Sequence, residues 1–323
     1  MPFRLPFFPE QASSFAHEVD ALTLWLVGMA AFFTVLIAAL VLVFALKYRR
    51  RSPDQVGTRF DESPLLEIVW TAIPLVIVLF TFAWGAKVYF RLYRPPVGAV
   101  EYHVTGKQWM WKTQHPTGQR ELNELHLPVG QPTKLLMTSE DVIHSFFVPA
   151  FRVKADVLPG RYTTMWFTPT KPGRYHLFCT EYCGAEHSRM IGWITVQEPE
   201  EYQRWLASVP VAATLAEQGA GVFARLGCRE CHAAGSEAAP ALAGLYGREV
   251  LLASGASVRA DENYLRESLL DPEAKVVAGF DAAMSTYRGQ LSEEEILALI
   301  GYLKSLPAPS TADVAAPAES VMR

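Results

Sequence analysis

Two short stretches of this 323-residue sequence concentrate side chains able to hold metals. The first runs Cys179-Thr180-Glu181-Tyr182-Cys183-Gly184-Ala185-Glu186-His187-Ser188-Arg189-Met190, with two thiols, an imidazole and a thioether within twelve residues. Soft sulfur donors together with imidazole suit copper. Spacing alone also permits a disulfide between Cys179 and Cys183, but such a bridge needs neither His187 nor Met190 in register. A loop this short cannot wrap one ion with everything it offers, whereas two sulfurs bridging two copper ions use both thiolates at once. Each copper then needs further ligands, including one from elsewhere. His144, in Asp141-Val142-Ile143-His144-Ser145-Phe146, is the upstream candidate. An electron added to such a pair spreads over two metals, so each bond changes little.

The second stretch is Cys228-Arg229-Glu230-Cys231-His232. C-x-x-C-H is the attachment signature of c-type haem, with two thioethers to the porphyrin and an axial histidine on the iron. The two stretches use all 4 cysteines, which leaves none for a structural disulfide.

These sites need elements to position them. No Asp, Glu, Lys or Arg occurs between Asp20 and Lys47, nor between Glu67 and Lys87. Both runs are long enough to cross the roughly 30 Å hydrocarbon core of a bilayer as helices, and we expect spans at about 21–46 and 66–90. Pro74 lies in the second, where a membrane helix tolerates it. The first run starts too far in and is too long for a cleaved leader. Lys47-Tyr48-Arg49-Arg50-Arg51 and Arg59 lie between the spans and place that loop in the cytoplasm, with both termini outside. Lys87, Arg91 and Arg94 oppose this orientation but are fewer.

Residues 97–200 carry short alternating runs punctuated by Pro and Gly, the pattern of a small β-sandwich or barrel. A linker at 201–214 follows, with a short helix expected at Glu198–Leu206 and a spacer at Val209–Ala213. Residues 215–306 read as helical. Ser292-Glu293-Glu294-Glu295 forms a capping-box start, and Ile296, Leu299, Ile300 and Leu303 share one helix face. The tail at 307–323 has a disordered composition. The formal net charge of -4 gives no case for a nucleic-acid partner. From residue 211 onward there are 9 basic and 15 acidic residues, a balance that would steer toward a basic partner or merely keep the segment soluble.

Cys-x-Glu-x-Cys-Gly-x-x-His-x-x-Met with the upstream Asp-Val-x-His-Ser-Phe resembles the CuA motif of cytochrome c oxidase subunit II. Gly106-Lys107-Gln108-Trp109-Met110-Trp111 and Lys154-Ala155-Asp156-Val157-Leu158-Pro159-Gly160-Arg161 match that family as well. The resemblance covers about residues 15–200 and implies a membrane hairpin of two helices (1–96) and a cupredoxin-like all-β barrel (97–200). By position it implies Cys179 and Cys183 bridging two coppers, with His144, His187, Met190 and the backbone carbonyl of Glu181 as further ligands. It implies that the Glu181 side chain faces a magnesium ion at subunit I. It implies that Trp109 is the electron-entry aromatic, and that Glu67, three residues before Trp70, lies at the entrance of a proton path. Met110 stands where the family usually has tyrosine.

Gly221-Val222-Phe223-Ala224-Arg225-Leu226-Gly227 before the haem signature resembles the first helix of a class I cytochrome c, an all-α domain. That family places a methionine before its last helix as the sixth ligand, and Met284 fits. The usual following proline is absent, since Ser285 stands there, yet no other Met or His lies between His232 and Met322. The remaining histidines, His17, His103, His115, His126 and His176, have no ligand partner in register and read as structural.

Together these features imply the electron-transfer subunit of a caa3-type respiratory oxidase in the bacterial cytoplasmic membrane. Both redox domains would lie on the periplasmic side. The resemblance implies one covalent haem c, a CuA pair and magnesium shared with subunit I. It implies subunit I, subunit III, an external electron donor and membrane lipid as partners. Oxygen reduction belongs to subunit I. A subunit of a CuA-containing nitric oxide reductase and a membrane-tethered carrier are the alternatives. A quinol-oxidase subunit is disfavoured because that branch lacks the copper ligands.

Overall fold

The computed structural model describes residues 8–57, 63–209, 214–233 and 235–308. Arg59, the spacer at 210–213 and the tail from 309 onward lie outside the described residues.

Two long helices come first, α1 (Ala16–Lys47) and α2 (Pro64–Tyr93). They extend the expected spans by a few residues at each end. α2 starts where the Ser63 side chain accepts from the Leu66 N–H, and Pro64 sits where a missing N–H costs nothing. It continues through Pro74. None of the residues in their most apolar windows is buried, so both present apolar surface all round, as lipid-facing helices do. They touch through Trp25, whose Nε1 donates to Thr81 Oγ1 at 2.9 Å and whose ring meets Phe80 edge-on.

The barrel follows as two five-stranded sheets. One has the order β3 (Arg120–Leu122), β2 (Met110–Gln114), β1 (Val100–Lys107), β5 (Thr133–Ser139), β8 (Thr163–Phe167). The other is β4 (Glu124–Pro128), β10 (Ile191–Gln197), β9 (Gly173–Cys179), β6 (His144–Val148), β7 (Val153–Val157). β1–β5 and β4–β10 pair in parallel and the remaining neighbours antiparallel. Strand alternation sends Tyr102, Val104 and Trp111 inward to meet Phe146, Leu125, Leu177 and Phe167 in one core. Glu101 and His103 fall on the opposite, outward face of β1.

The expected linker helix is α3 (Pro199–Ser208), and it packs on the barrel. Trp205 stacks on His126 with centroids 4.1 Å apart, and the Tyr202 hydroxyl meets His115 Nδ1 at 3.0 Å and the Tyr102 hydroxyl at 3.1 Å.

The C-terminal segment comprises α4 (Leu215–Arg225), α5 (Cys228–His232), α6 (Glu262–Leu270) and α7 (Glu293–Ser305). It also carries a small ribbon of β11 (Glu249–Leu251) and β12 (Ser257–Arg259). Capping boxes start α4 at Thr214/Glu217 and α7 at Ser292/Glu295, the second as expected from sequence. α4 and α7 cross at Gly219, where a Cβ would lie 2.7 Å from the Cβ of Tyr302.

This segment docks on the outer face of the first sheet. Leu136 of β5 and Tyr162 join its apolar core. Lys304 of α7 bonds Glu101 of β1 at 2.6 Å and Glu262 of α6 at 2.8 Å, and Lys134 of β5 bonds Glu101 at 2.9 Å. Arg266 pairs with Glu293 beside the Tyr162 ring. These are partly buried, alternating charges, for which each partner is needed to offset the desolvation of the next.

Candidate metal centre and haem pocket

The first cluster forms where the β9–β10 loop meets the start of β6. β9 ends on Cys179, whose N–H donates to the Met190 carbonyl, so the loop closes on itself before β10 begins. Cys179 and Cys183 are both buried and free, their sulfurs 3.8 Å apart. A disulfide requires about 2.05 Å, so these sulfurs are unbridged. The Cys183 sulfur lies 3.3 Å from His187 Nδ1 and 3.8 Å from Met190 Sδ. The Cys179 sulfur lies 3.9 Å from His144 Nδ1 and 3.3 Å from the Glu181 carbonyl oxygen. The donors expected from sequence thus converge on one spot, and His144, Cys179 and Cys183 group tightly enough to hold a metal.

The thiols share one easy ionisation. Burial alone raises Cys179, but hydrogen bonds with the His144 ring and the Ser145 and Glu181 backbone bring it down to about 7. Burial and then the Cys179 charge push Cys183 up to about 12. A bound cation would favour the thiolate form of both. Two sulfurs, two imidazoles, a thioether and a carbonyl around that spot fit a copper pair.

The neighbours of the ligands were less legible. Asp141 Oδ1 lies 2.8 Å from His144 Nε2, which fixes that ring with Nδ1 toward the sulfurs. Gln108 Nε2 and Trp109 Nε1 both donate to the Cys183 carbonyl, at 2.7 and 3.2 Å. Trp109 is partly buried against the barrel core, directly over the loop. Gly184 is the only residue type that fits: its φ is +117° and a Cβ would meet Gln108 and Trp109 at 3.0 and 3.2 Å. Gly106 has no room either, because a Cβ would lie 2.8 Å from His144 Cδ2. Both glycines stand inside the sequence motifs, which was the available signal. The Glu181 side chain is exposed, away from the sulfurs that its carbonyl approaches. Glu67 lies in the first turn of α2, also exposed.

The second cluster opens on a cavity of about 350 Å³. Cys228, Cys231 and His232 of α5 line it, as does Met284, with Leu226, Leu265, Leu269, Leu299 and Leu303 supplying an apolar wall. His232 Nδ1 bonds the Pro240 carbonyl at 2.8 Å, which makes Nδ1 the donor and leaves Nε2 as the free ligand atom. A flat apolar cofactor with two thiol anchors and two axial donors fits this lining.

Of the other histidines, His17 is exposed and the rest have protein neighbours. His115 Nε2 and His126 Nδ1 share the Glu121 carboxylate at 2.7 and 2.5 Å, His103 pairs with Glu101, and His176 packs on Trp193.

A sulfur-and-imidazole centre on a barrel, a haem-attachment cavity and two apolar helices define a membrane-anchored redox protein with two centres. Family models match in three places: the transmembrane domain of cytochrome c oxidase subunit II at residues 3–85, its periplasmic domain at 119–197, and cytochrome c at 216–307. Cytochrome c oxidase subunit 2 of Alkalihalophilus pseudofirmus is 32% identical over 307 residues, covering 89% of this chain and 86% of that one. The same subunit of Synechocystis is 30% identical over 254 residues, 64% of this chain and 76% of that one. The crystal structure of the periplasmic domain of subunit II of cytochrome oxidase of Bradyrhizobium japonicum has a TM-score of 0.35 at 32% identity, covering 36% of this chain and 96% of that one. The chain belongs to the cytochrome c oxidase subunit II family and carries a C-terminal cytochrome c domain.

Proposed function

We propose that this chain is the electron-transfer subunit of a respiratory terminal oxidase. The observation that carries the reading is the convergence of His144, Cys179, Cys183, His187 and Met190 on one buried spot, in a chain whose cytochrome segment brings Cys228, Cys231, His232 and Met284 to one cavity. When bound, haem c and the copper pair supply one-electron relay toward the haem–copper centre of subunit I, where oxygen is reduced to water.

The protein's own residues set the conditions for that relay. Cys179, Cys183, His144, His187, Met190 and the Glu181 carbonyl would hold the copper pair, whose bound charge would favour both thiolates. The barrel holds these donors so that little needs to reorganise, and the apolar wall of the haem cavity excludes water. Met284, which lines the same cavity as His232, would supply the second axial donor, a thioether that would raise the haem potential relative to a second histidine. Trp109, bonded to the Cys183 carbonyl, is the electron-entry aromatic beside the copper ligands. The exposed Glu181 carboxylate faces subunit I, where it contributes to a magnesium site. Glu67, near the cytoplasmic end of α2, admits protons to subunit I. The basic loop after α1 supports an inside position for that loop, with both redox domains outside. The reading divides the chain near residues 97, 201 and 215, and adds subunit III and an upstream respiratory donor as partners.

The test is gas consumption by the complex that copurifies with the tagged full-length chain, fed ascorbate and a redox mediator. Cyanide-sensitive oxygen uptake with a large hydrophobic partner present is expected. Nitric oxide consumption without oxygen uptake would move the chain to a copper-containing nitric oxide reductase. A metal-loaded chain with no partner and neither activity would make it a tethered carrier.

A further inference from the structure

We propose that the peptide unit joining Arg161 to Tyr162 is the junction by which an electron crosses from the haem cavity to the copper ligand His144, with Asn263 and Thr138 bridging on its two sides. The inference rests on the functional reading above.

Tyr162 lies just before β8 and, with Leu136, is one of two barrel residues in the cytochrome core, 3% exposed. Its N–H donates to Asn263 Oδ1 at 2.8 Å, and its carbonyl accepts from Asn263 Nδ2 at 3.3 Å. Asn263 is followed directly by Tyr264 and Leu265, which line the haem cavity. The same peptide unit is held from the other side, because the Arg161 carbonyl accepts from Thr138 Oγ1 at 3.2 Å. Thr138 is bonded to Ser139, whose Oγ meets Asp141 Oδ1 at 3.3 Å. That oxygen lies 2.8 Å from His144 Nε2, and the opposite ring nitrogen faces Cys179.

Covalent bonds and hydrogen bonds therefore run from the wall of the haem cavity to a copper ligand without an intervening van der Waals gap. Tunnelling decays far more steeply through space than along bonds, and the hydrogen bonds of Asn263 and Thr138 to the 161–162 peptide unit replace a through-space jump at the boundary between the two domains. The other contacts across the boundary serve less well. Lys304 reaches Glu101 through a long side chain, and Glu101 lies at the opposite end of β1 from Gly106, which packs on His144. Lys112 meets Glu294 at 3.1 Å, but Glu294 is half exposed and outside the cavity lining. In the step, ferrous haem iron gives up one electron and the oxidised copper pair takes it. No bond forms or breaks, and each hydrogen bond on the route keeps its proton on the donor.

The test is flash photoreduction of the complete purified oxidase by a photoexcited ruthenium complex, following haem c and copper absorbance separately. Asn263→Leu and Thr138→Val should each slow haem-to-copper transfer severalfold, with both absorption spectra unchanged. Asn263→Asp keeps the acceptor for the Tyr162 N–H and should transfer at nearly the unaltered rate. Amide exchange at Tyr162 should be slow in the unaltered chain and in Asn263→Asp, and faster in Asn263→Leu. Thr138 lies on the outward face of β5 with Lys134 and Leu136, against which the cytochrome docks, so Thr138→Val decides the matter together with its haem c thermal-loss midpoint, which should match that of the unaltered chain. An unaltered rate in Thr138→Val overturns the proposal even where Asn263→Leu is slow. Absence of any haem-to-copper transfer in the unaltered oxidase overturns the functional reading instead.

Discussion

Replacing Gly219 with alanine tests the α4–α7 crossing on which the haem cavity depends. Two effects oppose each other. Alanine is better than glycine inside a helix by about 1 kcal/mol. Against that, the new Cβ would lie 2.5 Å from the carbonyl carbon of Ala298 and 2.7 Å from the Cβ of Tyr302. Carbon atoms rest about 3.5–4.0 Å apart, so α4 must withdraw by roughly 1 Å. Overpacking costs about 1–3 kcal/mol, and the upper end applies because backbone and Cβ atoms cannot turn aside into another rotamer. The net loss is about 2 kcal/mol. At about 4–8 °C per kcal/mol for a segment of this size, melting should fall by about 10 °C. Thermal loss of the haem c absorption in the full chain measures it, with the copper absorption as internal control. A melting temperature that stays put or rises would refute the argument, since it would mean that the helix preference outweighs the crossing.

Met190→Leu should alter the copper absorption and spin-resonance signals and leave haem c unchanged; loss of both signals together would count against independent sites. Lys304→Met strands Glu101 and Glu262 at the boundary. It should destabilise the docked cytochrome by about 3 kcal/mol, at the low end for a broken buried pair because Lys134 stays beside Glu101; unchanged denaturant midpoints would contradict this. Burial opposes ionisation of Glu121, yet hydrogen bonds from His115 and His126 hold its carboxyl down at about 2. A depressed carboxylate stabilises the fold above its unfolded value and loses that contribution as pH falls from about 4.5 toward 2. Glu121→Gln should therefore flatten the acid limb of a urea-midpoint profile, and an unchanged limb would show that other groups govern it.

Local signals were the legible ones. The uncharged runs gave both apolar helices, and Ser292 and Glu295 gave the start of α7, because lengths and caps are settled within a few residues. The converging ligands were readable because most sit within one loop, and His144 came in through its own motif. What crosses the sequence was not readable. Asp141 was in the quoted motif, but its bond to His144 depends on how the chain turns before β6. Glu121 lies five residues before His126 and six after His115, spacings that mean nothing until β3 and β4 fold together. The docking of α6 and α7 against β1 and β5 pairs residues about two hundred positions apart, such as Lys304 with Glu101. No periodicity encodes such a contact. The short β11–β12 ribbon was masked by its brevity and by the helical pattern around it.

The residues ahead of α1 bear on the order in which the protein can be assembled. Phe15 is 1% exposed within the barrel core, the Ala12 N–H donates to the Ala150 carbonyl, and Ser13 Oγ donates to the Phe151 carbonyl. Asp20, at the start of α1, is clasped by Arg152 through two bonds of 2.7 and 2.9 Å. All of these partners leave the ribosome more than a hundred residues later. Contacts so distant along the chain are slow to form, because the intervening loop must close before they repay its ordering. Residues made well before the strands that receive them are thus among the last to settle, and the barrel core stays open on that side until the first helix and the finished sheets have come together.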